Sequence, residues 1–136
     1  KLREYGFTKA VSEAGLPVNV LHTVSSEYHD TLVNMVSNKL ITAVVCYNDL
    51  LAIECYQLMA EHNFNIPNDL SIIGYDDTEL SLTAIPQLSS ITHPKDKMGE
   101  DATNCLLNMI NRDYPKENII LYTPKVVKRA SVKKLI

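Results

Sequence analysis

The sequence lacks the local patterns by which many nucleotide-binding proteins and hydrolases are recognised. Only four glycines occur among the 136 residues, and none lies in a Gly-x-Gly-x-x-Gly or Walker pattern. No Gly-x-Ser-x-Gly sequence is present, and none of the four histidines pairs by sequence with a plausible nucleophile. We therefore expect no phosphate-binding loop, no catalytic residues and no cofactor, and the chain is not predicted to be an enzyme.

Cysteine is scarce, and long apolar runs are missing. Cys46, Cys55 and Cys105 are widely spaced in apolar segments, a pattern typical of buried, reduced thiols in a cytoplasmic protein. Because no Cys-x-x-Cys or His-x-x-x-His pair occurs, no metal site is expected. No run approaches the ~20 apolar residues that cross a bilayer. No secretion signal is evident either, so we expect no membrane partner.

An excess of positive charge is also missing. The chain has 13 Lys and Arg residues against 16 Asp and Glu residues, a net charge of -3, which gives it no electrostatic footprint for nucleic acid. The one basic cluster has the spacing of a solvated strand face and tail, and consists of Lys125, Lys128, Arg129, Lys133 and Lys134. Since no initiator Met is present, we expect a piece of a longer protein, in which any DNA binding lies elsewhere.

Helical and extended patterns alternate along the chain, whose 46% hydrophobic content suits one globular domain. Apolar spacing and caps predict helices over residues 2–14, 27–38, 49–62 and 94–112. Shorter apolar runs predict strands over residues 18–24, 42–47, 70–74, 88–92, 119–123 and 125–130. Such alternation is typical of βαβ units, so the predicted fold class is α/β, a parallel sheet with flanking helices.

The predicted helix over residues 49–62 is more apolar than one contact with a sheet requires. Beside the stripe that would face the sheet, Leu51, Cys55 and Leu58 form a second apolar stripe. This surplus fits packing against another subunit or domain. It fits equally well a helix that is simply buried more deeply in its own chain.

Two predicted strands are followed by a pair of polar residues, Asn48-Asp49 in one case and Asp76-Asp77 in the other. In an open parallel sheet, ligands bind outside the carboxyl ends of the strands, so these residues are candidates for one shared pocket. One residue of each pair can cap the next helix or close a turn while the other faces the ligand. If Asp49 caps, Asn48 is left facing the pocket. A turn with two Asp residues is also commonly structural throughout.

Arg3 lies on the apolar register of the first predicted helix, one turn before Phe7. In a βα unit the N-terminal end of a helix lies at the ligand-binding edge of the sheet. A guanidinium there can donate several hydrogen bonds to a polyhydroxy or anionic ligand. The alternative is a structural salt bridge with a neighbouring carboxylate.

A phosphotransfer domain would also place Asp residues at strand ends, with Mg²⁺ bound and a Lys across the pocket. Here no later predicted strand ends in an obvious Lys partner. This alternative therefore has little support.

Four segments, in order and at compatible spacing, resemble the effector-binding core of bacterial LacI/GalR-type transcriptional repressors. They span nearly the whole chain and are Arg3-Glu4-Tyr5-Gly6-Phe7, Ala43-Val44-Val45-Cys46-Tyr47-Asn48-Asp49, Ile66-Pro67-Asn68-Asp69-Leu70-Ser71-Ile72-Ile73-Gly74-Tyr75-Asp76-Asp77 and Lys128-Arg129-Ala130-Ser131. Residues 88–99 are similar to the arabinose-responsive repressors, which join a LacI-type core to a GntR-type winged-helix DNA-binding domain.

The resemblance implies roles for individual residues. Arg3, Asn48 and Asp76 match the effector-contacting positions of the family, and Asp49 and Asp77 match the structural partners. His93 occupies a position where the family often has a polar pocket residue. It can equally be a hinge residue before Pro94.

The resemblance also implies an organisation and a mechanism. Residues 1–92 correspond to the C-terminal lobe of a type I periplasmic-binding-protein-like fold, 93–118 to a crossover and helix of the other lobe, and 119–136 to returning strands and the tail. Family members pair through C-lobe helices, which assigns Leu51, Cys55 and Leu58 to a homodimer interface. A small sugar such as L-arabinose would act allosterically on DNA, through an N-terminal domain absent from this chain. The alternative is the sugar-binding protein of a transporter.

Overall fold

A computed structural model describes residues 2–25, 27–112 and 119–135 of the chain. The elements, in chain order, are α1 (Leu2–Glu13), α2 (Tyr28–Ser37), β1 (Ala43–Val45), α3 (Asp49–Glu61), β2 (Ser71–Tyr75), α4 (Glu79–Thr83), β3 (Ser89–Thr92), α5 (Lys95–Ile110) and β4 (Lys125–Val127). Each of the four predicted helices is therefore present, with ends within a few residues of the predicted ones. The short α4 was not predicted, because five residues are too few to show a helical period.

The strands form one sheet in the order β1-β2-β3-β4. β1, β2 and β3 run parallel, with Val44 opposite Ile72 and Gly74 opposite Ser90. β4 runs antiparallel to β3, with Val126 opposite Ile91. The prediction of an α/β fold with a mostly parallel sheet and flanking helices is confirmed. The parallel arrangement brings the carboxyl ends of β1, β2 and β3 to one edge, the edge at which α3 and α4 begin.

The core lies between the sheet and the helices that pack on it. Met59 of α3, Leu70, Ile72 of β2 and Leu88 have no solvent exposure, and Leu32 and Val36 of α2 join the same cluster. Burying each of these side chains contributes roughly 1.5–3 kcal/mol. This packing fixes α3 against β2 and so fixes where the N-terminal end of α3 meets the ends of the strands.

The second apolar stripe of α3 is buried inside the chain. Cys55 and Leu58 belong to the core, and Leu51 packs against it. The assignment of this stripe to a homodimer interface is therefore wrong for Cys55 and Leu58, because side chains already covered by their own chain offer no surface to a partner. The alternative, a helix buried more deeply, describes α3.

Two predicted strands do not form within the described part of the chain. Residues 18–24 pair with no strand, and Val18 and Val20 remain 40% and 38% exposed. Residues 119–123 are also outside the sheet, and their apolar side chains Ile119 and Leu121 are strongly exposed. An apolar alternation gives a strand only where the segment can pair with the edge of a sheet. Neither of these two segments pairs with an edge of the described sheet.

Like α1, which also has no buried residue, α5 packs only loosely on the rest of the described fold. None of its residues is buried, and Leu106, Leu107 and Ile110 are more than half exposed. The assignment of residues 93–118 to another lobe stays a prediction. Its last part, residues 113–118, lies outside the described residues, as do residues 1, 26 and 136 of the flanking segments.

Candidate functional site

Arg3 joins the ends of β1 and β2. It lies in the first turn of α1, and its Nη1 donates a hydrogen bond of 2.6 Å to the backbone oxygen of Tyr47. Its Nη2 lies 3.4 Å from Oδ1 of Asp76. The guanidinium carbon lies 3.7 Å from the ring centroid of Tyr75 and 4.6 Å from that of Tyr47, within the range of cation–π attraction. The inward orientation predicted for Arg3 is thus present.

Asp76 and His93 meet at one carboxylate oxygen. Asp76 directly follows β2 with a positive φ of 96°, and its N–H donates to Ile91 of β3. Its Oδ1 contacts both Arg3 and Nε2 of His93, the latter at 3.3 Å. Its Oδ2 accepts no hydrogen bond from the described residues, and the side chain is 35% exposed. The site therefore keeps a free carboxylate oxygen that can accept hydrogen bonds from a ligand.

The aromatic ring of Tyr75 completes this cluster. It lies against the ring of His93 with 4.9 Å between centroids and 56° between planes, while its other contact is with Arg3. Neither Tyr47 nor Tyr75 is among the site residues that the sequence patterns predict. A signal was present, because each lies immediately before the polar pair that follows its strand. Their rings restrict the guanidinium, so it is positioned before any ligand arrives.

Asn48, and not Asp49, is the N-cap of α3. The Oδ1 atom of Asn48 accepts a hydrogen bond of 2.9 Å from the backbone N–H of Leu51, and the backbone of Asn48 is extended. The prediction that Asp49 caps this helix is wrong because Asp49 is already its first helical residue. Asn48 nevertheless lines the same cavity as Arg3, Tyr47 and Tyr75. Its Nδ2 donates no hydrogen bond to the described residues, so one polar group remains available.

Asp49 is a buried structural residue, only 1% exposed. Its Oδ2 accepts hydrogen bonds from the N–H and hydroxyl of Thr78 at 2.6 and 2.9 Å, and its Oδ1 accepts one from the hydroxyl of Ser90 at 2.6 Å. A Cβ on Gly74 would collide with Asp49 and Leu88, so only glycine allows α3 to approach β2 this closely. The three bonds and the N-terminal end of α3 compensate for burying this charge.

Asp77 stabilises the turn from the other side. Its φ is 46°, its Oδ1 accepts a hydrogen bond from Ser81, and it forms an ion pair of 2.8 Å with Arg129. Burial raises the pKa of Asp77, but hydrogen bonds from Arg129 and Ser81 and the charges of Arg129 and Lys95 outweigh it, leaving a net lowered pKa. Asp77 forms the turn as predicted but caps no helix, since Thr78 is the N-cap residue of α4.

The same contacts correct the interpretation of the basic cluster. The sequence pattern predicts a solvated Arg129, yet its side chain is only 14% exposed. It also donates to the backbone oxygen of Leu88 at 2.8 Å. Arg129 therefore ties the chain after β4 to the turn that carries Asp76.

A cavity of about 850 Å³ lies beside these residues and is lined by Arg3, Tyr47, Asn48 and Tyr75. Asp76 and His93 connect to it through Arg3 and Tyr75. Over residues 2–25, 27–112 and 119–135, no group of three or more His, Cys, Asp and Glu side chains could hold a metal ion. None of the helices described here is long and apolar enough to cross a membrane. The polar groups at the site are hydrogen-bonding groups suited to a small polar ligand.

Comparison with known proteins agrees with the fold described above. Residues 1–132 match the model of a family described as periplasmic binding protein-like domain. The HTH-type transcriptional repressor PurR of Aliivibrio salmonicida is 33% identical over 141 residues, which are 99% of this chain and 42% of that protein. The arabinose metabolism transcriptional repressor of Halalkalibacterium halodurans is 33% identical over 142 residues, which are 93% of this chain and 37% of that protein.

A solved structure of a repressor has a similar fold. The lac repressor dimer bound to operator and the anti-inducer ONPF superimposes with a TM-score of 0.77 at 25% identity, over 96% of this chain and 47% of that chain. The chain thus spans about two-fifths of the length of the curated relatives and about half of this structure.

Proposed function

We propose a function for this chain, which belongs to the family of periplasmic binding protein-like domains. It is the effector-binding C-terminal lobe of a LacI/GalR-type transcriptional repressor. Its ligand would be a small sugar. The relatives named as repressors support this role over an enzymatic one. A repressor acts on the chromosome, so we expect the protein in the cytoplasm.

The observation that carries the proposal is the cluster of Arg3, Asp76 and His93 at the carboxyl ends of β1, β2 and β3. A sugar presents adjacent hydroxyl groups, each of which both donates and accepts a hydrogen bond. The free Oδ2 of Asp76 can accept from one hydroxyl, and the guanidinium of Arg3 can donate to its neighbour. The Nδ2 of Asn48 is a further donor, in the wall of the cavity that Arg3 also lines.

L-arabinose is the sugar we propose. Support comes from the likeness of residues 88–99 to arabinose-responsive repressors and from the similarity to an arabinose metabolism repressor. A GntR-type DNA-binding domain in the parent protein belongs to the same proposal. A purine is the competing ligand class, since an equally similar relative is a PurR repressor and not a sugar-named one.

The second lobe of the cleft would lie outside the described fold. α5 supports this organisation, because a helix with no buried residue and an exposed apolar face needs a partner surface. In this proposal residues 93–118 cross to the other lobe and residues 119–136 return from it. A sugar held by both lobes would favour one lobe arrangement and, in a homodimer, change how the DNA-binding domains are spaced.

Isothermal titration calorimetry of the full-length protein tests the proposal, with L-arabinose, ribose, galactose and purines as separate ligands. We expect heat from L-arabinose alone. Binding of another sugar would reject the arabinose assignment, and binding of a purine would reject the sugar class. A sugar that binds without changing operator affinity in a DNA mobility assay would favour the transporter alternative.

A further inference from the structure

Two of the three cysteines lie in contact. Cys46 directly follows β1 and Cys55 lies inside α3, and both belong to the core, at 4% and 5% exposure. Their Sγ atoms are 3.9 Å apart, with the thiol of Cys46 donating to the sulfur of Cys55. Cys105 lies on α5 and is less buried than either. The chain therefore contains one close thiol pair and one cysteine that can act as an internal reference.

The pair is accessible from the cavity already described. Both Cys46 and Cys55 are among the residues that line the space of about 850 Å³, which is open to solvent and also bounded by Tyr47 and Asn48. A small oxidant can reach the sulfurs by this route, although little of either side chain is exposed at the protein surface.

We propose that Cys46 and Cys55 form a reactive dithiol that hydrogen peroxide converts into an intramolecular disulfide. The sulfur of Cys55 attacks one peroxide oxygen, so that an S–O bond forms, the O–O bond breaks and water leaves. The sulfur of Cys46 then attacks the sulfenic acid of Cys55. The S–S bond forms, the S–O bond breaks, and the thiol proton of Cys46 leaves with the hydroxide as a second water. Two thiols give up two electrons to one peroxide.

Two further observations support this order of events. The hydrogen bond from Cys46 lowers the pKa of Cys55, which favours the thiolate, the reactive form. The same hydrogen bond and, to a smaller extent, burial raise the pKa of Cys46. Cys46 therefore keeps its thiol proton until the second step releases it. The reacting sulfurs also need only a local movement, since a disulfide requires an approach of about 2 Å from the present separation.

The disulfide would act on the residues next to it. Cys46 immediately precedes Tyr47, whose carbonyl accepts the hydrogen bond from Arg3, and Asn48, which caps α3. Drawing Cys46 toward α3 displaces these groups relative to Arg3. We expect at least a threefold loss of effector affinity that dithiothreitol reverses. This consequence rests on the proposed function, whereas disulfide formation does not.

Peptide mapping of the folded full-length protein tests the disulfide itself. No Lys or Arg occurs between Leu40 and Pro94, so trypsin releases Cys46 and Cys55 in one peptide, residues 40–95, and Cys105 in another, residues 98–112. After brief peroxide treatment and alkylation, we expect most of the first peptide to be two hydrogens lighter and unalkylated, and the second to be alkylated. Dithiothreitol should restore both alkylation sites in the first peptide.

Three outcomes would overturn the proposal. The first is that peroxide oxidises Cys105 while both cysteines in residues 40–95 can still be alkylated. The second is that sulfinic acid accumulates at Cys55 while Cys46 can still be alkylated. The third is a disulfide that involves Cys105. A Cys105→Ser variant, which leaves the pair intact, should still form the internal disulfide. A Cys46→Ser variant should stop at a sulfenic acid on Cys55, which dimedone labels. If this variant does not fold, the wild-type peptide map still decides.

Discussion

The polar residues at the strand ends differ in how completely the chain itself satisfies them. Asp49 is buried, and both of its carboxylate oxygens accept hydrogen bonds from Thr78 and Ser90. Asp76 is 35% exposed and uses only Oδ1, which it shares between Arg3 and His93. A carboxylate with every oxygen engaged holds structure, and one with a free, partly exposed oxygen can bind a ligand. The number of engaged atoms, and not the position after a strand, distinguishes the two roles.

Removing Asp49 should have the largest effect on stability. Asp49→Ala leaves the buried hydroxyl of Ser90 without its acceptor and also removes the two hydrogen bonds from Thr78, an exposed residue, to the carboxylate. We expect the free energy of unfolding to fall by about 3 kcal/mol, the cost of stranding such donors. Urea denaturation monitored by circular dichroism measures this loss.

An acid on the same helix provides the control for this experiment. Glu61 lies exposed at the end of α3, so Glu61→Ala should change the free energy of unfolding by less than about 0.5 kcal/mol. If Asp49→Ala is as stable as Glu61→Ala, the network around Asp49 does not hold the strand ends together. The contrast with Asp76 would then lose its physical basis.

Removing Asp76 should have the opposite pattern, with a large effect on binding and a small one on stability. Asp76→Ala and Arg3→Ala each remove a charged side chain that would form hydrogen bonds to the ligand. We expect each to weaken effector binding by about 1.5–3 kcal/mol, as measured by calorimetry on the full-length protein. Glu79→Ala, which removes an exposed acid three residues further along, should bind as the wild type does. Wild-type affinity in both site variants would make the Arg3–Asp76 pair a structural salt bridge.

The sequence was sufficient to predict the α/β fold and the helices, because apolar periodicity reports which face of each element is buried. It failed where the structure depends on a partner. Residues 18–24 have the alternation of a strand, yet the described fold pairs them with nothing. Leu51, Cys55 and Leu58 form an apolar stripe that composition alone cannot assign to the core or to an interface. Both outcomes depend on tertiary contacts between segments far apart in the chain.

The site was predictable in part for a related reason. That Arg3, Asp76 and His93 come together follows from the rule that parallel strands end at one edge of the sheet. The division of roles between Asn48 and Asp49 was predicted incorrectly, since one residue of register decides which side chain reaches the N–H of Leu51. The partnership of Asp77 with Arg129 spans 52 positions of sequence and leaves no local signal.

Asp77 should link the turn to pH. Its pKa is lower in the folded chain than its ordinary value of 3.8, so the unfolded state binds the proton first as the pH falls. Its contribution is therefore complete well above pH 3.8 and is lost as the pH falls through the lower, folded pKa. Asp77→Asn should cost about 1.5 kcal/mol near neutral pH and show a shallower loss of stability in acid. Urea denaturation at a series of pH values measures both quantities.

A second acid separates the effect of Asp77 from general acid destabilisation. Asp101 also has a lowered pKa, through its hydrogen bond from Lys97, but this is an i,i+4 pair with Lys97 59% exposed, and such ion pairs contribute little to stability. Asp101→Asn should retain most of the steep loss of stability below pH 3.8 that Asp77→Asn lacks. If the two variants have the same pH dependence, the ion pair with Arg129 does not stabilise the turn.

The two amide atoms of Asn48 differ in the same way as Asp49 and Asp76. Oδ1 accepts a hydrogen bond within the fold, whereas Nδ2 has no partner among the described residues. Substitutions that separate the two atoms have the smallest expected effect. Asn48→Ala should cost about 1 kcal/mol of stability, because α3 loses its cap. Asn48→Asp keeps an oxygen that accepts from Leu51 but removes the Nδ2 donor at the cavity. Near-wild-type stability with weaker sugar binding in Asn48→Asp would show that one residue serves both roles, Oδ1 for the fold and Nδ2 for the ligand. Unchanged affinity would place Asn48 beside Asp49 and Asp77, as a residue whose polar atoms serve only the structure.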